Sequence, residues 1–258
     1  MTNQARLEPA QEFGPAQGPL GGGVLAWLWP ALAPLGAGLL LLAAGADWRV
    51  MLAGLVLHVS VTLLLAHQWR SRAARFGLAS QVTLARSGLV AVLAAALLQP
   101  ALYQELGWWL AGLALAALVL DGVDGWLARR FDEASDFGAR FDMEVDAALI
   151  LVLCLGLMAA GKAGAWVLAI GLMRYAFVAA AQVRPWLAAP LPPSFRRKLV
   201  CVWQVAALLI CLTPVIGPAL ATPILASAMA LLVWSFWLDL AWLKQNAASH
   251  LSRLENDS

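Results

Sequence analysis

Apolar residues run through this chain in long, nearly unbroken blocks, with no polar stripe dividing them into a wet and a dry face. A helix needs about 20 such residues to cross the hydrocarbon core of a bilayer. A water-soluble helix would instead show one apolar stripe and one polar one. Only 12% of residues are charged, against roughly a quarter in soluble domains. The blocks therefore predict an all-α integral membrane protein, and no nucleic acid is expected as a partner.

Eight spans are expected, at about 24–46, 50–67, 82–98, 106–127, 137–160, 165–183, 199–216 and 224–243. Residues 1–23 read as a flexible tail and lack the basic start and short apolar core of a signal peptide. The link 68–81 carries Arg70, Arg72, Arg75 and Phe76, a basic amphipathic pattern suited to a membrane surface. Residues 244–258 read as a polar tail. Pro185, Pro190, Pro192 and Pro193 break the chain before Arg196, Arg197 and Lys198, and Gly217, Pro218, Thr222 and Pro223 mark the last turn. Cys154, Cys201 and Cys211 read as small buried hydrophobes.

Eight spans put both termini on one side. That side receives Arg6, Arg70, Arg72, Arg75, Arg129, Arg130, Arg184, Arg196, Arg197, Lys198, Lys244 and Arg253, and the other only Arg49 and Lys162. By the positive-inside rule the rich side is cytoplasmic. A bacterial cytoplasmic membrane is the expected location, with membrane lipids as neighbours.

Asp121 and Asp124 stand three residues apart, and Asp142 and Asp146 four apart, so each pair shares one helix face. A short loop joins the two helices, which lets four carboxylates converge near the cytoplasmic edge. Ionised carboxylates in low dielectric need a counter-charge, and four together repel one another. Divalent cations answer both demands, and all-oxygen ligation favours Mg²⁺ or Mn²⁺. Such ions suit phosphoryl transfer, with one carboxylate free as general base and Arg129 and Arg130 for phosphate oxygens. Gly122, Gly125, Ala128, Gly138 and Ala139 leave room for close helix approach or a flat nucleotide. A single aspartate at a helix end is usually a cap, and Asp132, Glu133 and Asp136 read as a solvated loop.

Asp121-Gly122-Val123-Asp124-Gly125-Trp126-Leu127-Ala128-Arg129, followed by Gly138 through Asp142 to Asp146, resembles the signature of the CDP-alcohol phosphotransferase (phosphatidyltransferase) family: D-x-x-D-G-x-x-A-R, a spacer, then G-x-x-x-D-x-x-x-D. The resemblance implies a six-helix catalytic core, here 82–243, with 24–67 as an additional N-terminal transmembrane pair. It implies transfer of a phosphatidyl or other substituted phosphate group from a CDP-linked donor, CDP-diacylglycerol above all, to an alcohol with release of CMP. It also implies a homodimer and two metal ions. Carried over residue by residue, Asp121, Asp124, Asp142 and Asp146 are the metal ligands and Asp146 also the base. Asp121, Asp124, Gly125, Ala128, Arg129 and Gly138 bind the donor nucleotide.

Two flanking segments depart from the family. Ser80, Thr83 and Arg86 lie where it often has Asn, Thr and Arg. The segment Arg197 to Gln204 overlays G-K-x-K-T-x-x-Q, but Arg197, Val200 and Cys201 differ. Arg174, inside a span, and Arg184, Arg196, Arg197 and Lys198 are candidate contacts for the acceptor, an alcohol or phosphorylated alcohol. For the last four, anionic headgroups are an equal alternative. Trp126 and Trp203 lie near the expected site. Two rival readings are a divalent-cation transporter and a silent scaffold. The transporter lacks a polar path, because the acids cluster at one end and the opposite half is almost purely apolar.

Overall fold

The computed structural model describes residues 28–70, 77–131, 135–189 and 191–256. The proposed tail 1–23, with Arg6, lies outside them, as do Arg72, Arg75, Phe76, Asp132 and Glu133. Among the described residues all regular structure is helical. A 3₁₀ turn, Trp29–Ala31, leads into α1 (Leu32–Ala43). Then follow α2 (Trp48–Arg70), α3 (Leu78–Ala96), α4 (Gly107–Arg130), α5 (Asp136–Ala159), α6 (Leu168–Val183), α7 (Phe195–Leu212) and α8 (Pro218–Asn256). Five helices are long and apolar enough to cross a membrane, within α2, α3, α4, 165–183 and α8. The protein is thus a multi-pass membrane protein.

Several helix ends differ from the sequence reading. Helix α1 has 12 residues, about 18 Å of rise, and stops before Gly45, whose φ of +103° turns the chain back. Helix α3 starts at Leu78 rather than residue 82, because Ala79, Ser80 and Gln81 are buried inside the bundle and not in a surface link. Helix α7 starts at Phe195, so Arg196, Arg197 and Lys198 form its first turn instead of preceding it. Helix α8 opens on Pro218, a residue suited to a first turn, and takes Pro223 inside the helix. Its backbone stays helical past Lys244 to Asn256, where the sequence suggested a separate tail. Asp136 is not loop: it opens α5, whose N-cap Ser135 accepts a hydrogen bond from the Gly138 amide (3.1 Å).

Helix α3 is the axis of the bundle. It is buried along nearly its whole length and packs against α1, α2, α4 and α5. The N-terminal pair reaches it through small residues: a Cβ on Gly88 would lie 2.7 Å from the Pro34 ring and 2.9 Å from His58 Nδ1. Close backbone approach of this kind replaces hydrophobic drive inside lipid. Helices α6 and α7 pack on α5, α7 also packs on α4, and α8 packs mainly on α7. At the end opposite the acidic residues, Lys162 Nζ donates to the carbonyls of Cys211 (3.0 Å) and Thr213 (2.5 Å), closing the end of α7.

Tyr103 locks α5 against α3. Its hydroxyl donates to Leu93 O (2.7 Å), and a Cβ on Gly156 would sit 2.1 Å from its ring. Gly156→Ala should therefore lower the unfolding temperature in detergent by an amount equivalent to about 1–3 kcal/mol. An unchanged transition contradicts this packing.

Candidate active site and metal centre

Two helices supply the four aspartates, and a third supplies the cation between them. Asp121 and Asp124 come from the last turns of α4, and Asp142 and Asp146 from the first turns of α5. Arg86 reaches them from α3, only 1% exposed. Its Nη1 pairs with Asp121 and lies 3.8 Å from Asp124; its Nη2 pairs with Asp142 and lies 3.3 Å from Asp146. Thr83, one turn earlier on α3, donates to Asp124 Oδ2 (2.9 Å). A guanidinium presents planar, divergent donors and can bind carboxylates on two sides at once.

Motif reading places Arg86 opposite the family's flanking arginine but not among the candidate site residues. A signal was present, since a cation in the middle of an apolar helix is costly unless it faces partners.

One guanidinium cannot neutralise four carboxylates. One oxygen each from Asp121, Asp142 and Asp146 lies within 4.8 Å of the others, close enough to share a cation. Asp124 is set slightly apart, against Thr83 and a neighbouring cavity. The donors are all hard oxygens and the excess charge is negative, so the residues fit a divalent cation such as Mg²⁺ or Mn²⁺.

A cavity lies on each side of this row. The smaller, about 210 Å³, is lined by Asp124, Asp142, Gly125, Ala128, Arg129 and Gly138, with Ser80 and Thr83 of α3. Gly125, Ala128, Gly138, Ala139 and Arg129 therefore border one cavity, and Gly122 does not. A Cβ on Gly122 would meet nothing within 4 Å, and one on Gly125 only the Arg129 guanidinium at 3.5 Å. Helix packing thus does not require these two glycines. The larger cavity, about 400 Å³, is walled by α5, α6, α7 and α8 and touches Asp146 alone of the four aspartates.

The expected acceptor cations do not form one cluster. Arg174 and Arg197 line the larger cavity, while Arg184 lines a separate one with Trp186 and Leu240. Arg174 pairs with Glu144 (2.7 Å), and Arg196 with Asp239 (2.6 Å). Lys198 is exposed and lines neither cavity. Cys154 and Cys211 are buried as expected, but Cys201 is exposed, because its face of α7 walls the larger cavity. Trp126 and Trp203 line neither cavity; Trp203 Nε1 donates to Ser227 Oγ (3.1 Å).

The sequence model of the CDP-alcohol phosphatidyltransferase family matches residues 76–238, more than half of the chain. The chain belongs to that family. The match holds α3 to α7 and most of α8, and α1 and α2 precede it. The chain has no significant match among curated proteins or solved structures. Family membership and the aspartate cluster together make this an enzyme of CDP-alcohol-dependent phosphotransfer.

The Arg86 geometry predicts how the site answers to metal. Arg86→Met should lower the unfolding temperature in chelator by the equivalent of roughly 2 kcal/mol, less than a fully buried pair would lose, because Asp142 and Asp146 are partly exposed. Adding Mn²⁺ should recover part of that loss. Equal stability of the variant and the parent in chelator contradicts the role of Arg86 as internal counter-ion.

Proposed function

We propose that this enzyme transfers a substituted phosphate group, phosphatidyl above all, from a CDP-linked donor such as CDP-diacylglycerol to an alcohol, releasing CMP. The observation that carries the reading is the convergence of Asp121, Asp142 and Asp146 on one small volume between two cavities. Asp121, Asp124, Asp142 and Asp146 would hold two Mg²⁺ or Mn²⁺ ions. When bound, such ions screen the donor diphosphate and stabilise charge developing on the leaving phosphate.

The smaller cavity takes the cytidine diphosphate. Gly125, Ala128 and Gly138 admit its flat base and ribose, and Arg129 meets its phosphate oxygens. Asp146 faces the opposite cavity and accepts the proton of the acceptor hydroxyl. The acceptor oxygen then bonds to the donor's β-phosphorus as the bond to CMP breaks. Separate cavities keep the two substrates on opposite sides of the carboxylates, which suits in-line displacement.

The basic residues around this end of the bundle favour a cytoplasmic active site, with both termini on that side of a bacterial cytoplasmic membrane. The arrangement is six core helices from α3 onward with α1 and α2 added before them. The family resemblance supports a homodimer.

Asp146→Asn should keep the unfolding temperature and lower CMP release by about 10²-fold or more. In the parent, EDTA should abolish CMP release and Mn²⁺ or Mg²⁺ should restore it. Full turnover of the variant removes Asp146 from the role of base. Gly125→Val should fill the smaller cavity and raise the donor KM by about tenfold or more, with little change in stability. An unchanged donor KM would place the nucleotide elsewhere.

A further inference from the structure

A separate cleft lies where α6 ends. It has a volume of about 370 Å³ and is lined by Ala180, Val183, Arg184, Trp186, Leu187 and Leu240. Arg184 caps the end of α6. The 3₁₀ turn Pro185–Ala188 follows it and packs on both α6 and α8. Leu240 stands next to Asp239, which shares the larger cavity with Asp146. The cleft is therefore at the same end of the bundle as the aspartates, yet it shares no lining residue with either of their cavities.

Most of its wall is apolar and faces outward. Val183 is 80% exposed, the highest value among the large apolar side chains described. It is also the last residue of a stretch long and apolar enough to cross a membrane. Trp186 is half-buried beside it, and tryptophan favours the boundary between hydrocarbon and headgroups. A wall of this kind at a helix end suits a lipid chain better than water.

The polar edge of the cleft is cationic and uncommitted. Arg174 is taken by Glu144, and Arg196 and Arg197 share Asp239. Arg184 is exposed and pairs with no carboxylate among the described residues, and it is the only charged residue of those lining the cleft. Lys244 follows Leu240 by four residues, so it lies on the same face of α8 one turn further out. It too is exposed and has no carboxylate partner among the described residues. A guanidinium binds phosphate oxygens well, and basic residues at a membrane edge attract anionic headgroups. A zwitterionic headgroup would bring a cation of its own towards Arg184 and Lys244 and gain less.

We propose that this cleft binds a phospholipid with an anionic headgroup, apart from the site of transfer. The phosphate sits at Arg184, and one acyl chain lies along Val183, Leu187 and Leu240. The lipid is a bound neighbour and not a reactant. Leu187 is buried beneath it, and Leu191, four residues on, lines the larger cavity. The bound lipid thus braces the connection that borders that cavity.

The test is native mass spectrometry of the purified full chain, stripped of lipid in detergent and then given phosphatidylglycerol or phosphatidylcholine with the same acyl chains. The parent should bind phosphatidylglycerol about fivefold or more tightly. Arg184→Gln should remove that preference and Arg184→Lys should keep most of it, with both variants unfolding at the parent's temperature in detergent alone. Leu240→Trp, which fills the cleft, should weaken binding of both lipids. Asp146→Asn should bind phosphatidylglycerol as the parent does, and so should Lys198→Gln, which removes an exposed cation outside the cleft. Equal affinity of the parent for the two lipids, or an unchanged preference in Arg184→Gln, overturns the site. Loss of binding in Asp146→Asn would assign the lipid to the transfer site, and loss in Lys198→Gln would reduce it to diffuse surface charge; either overturns the proposal. So does displacement of the lipid by an equal concentration of glycerol 3-phosphate, which would make the cleft a site for soluble phosphate. The phosphotransferase reading stands under every one of these outcomes.

Discussion

Four carboxylates held within reach of one buried guanidinium set the terms for the rest of this structure. Gathering like charges at the edge of a membrane is unfavourable unless something of opposite sign holds them. Arg86 supplies part of that charge from α3, and for this it must be fixed in place. The deep burial of α3 among α1, α2, α4 and α5 does that. Thr83 adds a hydrogen bond to Asp124 from the same helix. The remaining negative charge makes the site receptive to divalent cations and, through them, to a diphosphate.

The helices around this row divide the space unequally. On one side α3, α4 and α5 leave a small cavity with glycine and alanine walls and one arginine. On the other, α5 to α8 enclose a larger and mainly apolar one. Helix α5 belongs to both, with Asp142 facing the first and Asp146 the second. Spacing of four residues keeps these two carboxylates on one face while letting them serve different cavities. The two cavities therefore meet at these carboxylates without sharing a lining residue.

Much of this was legible from sequence because it depends on local periodicity. The three- and four-residue spacings of the aspartates fixed their shared faces, but the short connection after Arg130 does not pack α4 on α5: the two meet mainly through α3 and α7, on which both pack. The glycines and alanines that line the smaller cavity came from the motif. Arg86 was less visible, because its partners lie 35 and 56 residues away and only the fold of α3 against α4 and α5 joins them. The pairings of Arg196 and Arg197 with Asp239 were hidden for the same reason, since their partner lies on another helix. Helix starts shifted where buried polar residues such as Gln81, or a tolerated proline such as Pro223, extended a helix beyond its apolar block.

The central claim concerns where divalent cations sit, and anomalous scattering from Mn²⁺ in crystals grown with a CDP-linked alcohol measures that directly. The account predicts manganese peaks among the carboxylates of Asp121, Asp124, Asp142 and Asp146, with Arg86 beside them and the cytidine against Gly125 and Gly138. Manganese bound elsewhere, or no peak at these four residues with the nucleotide in place, would contradict it.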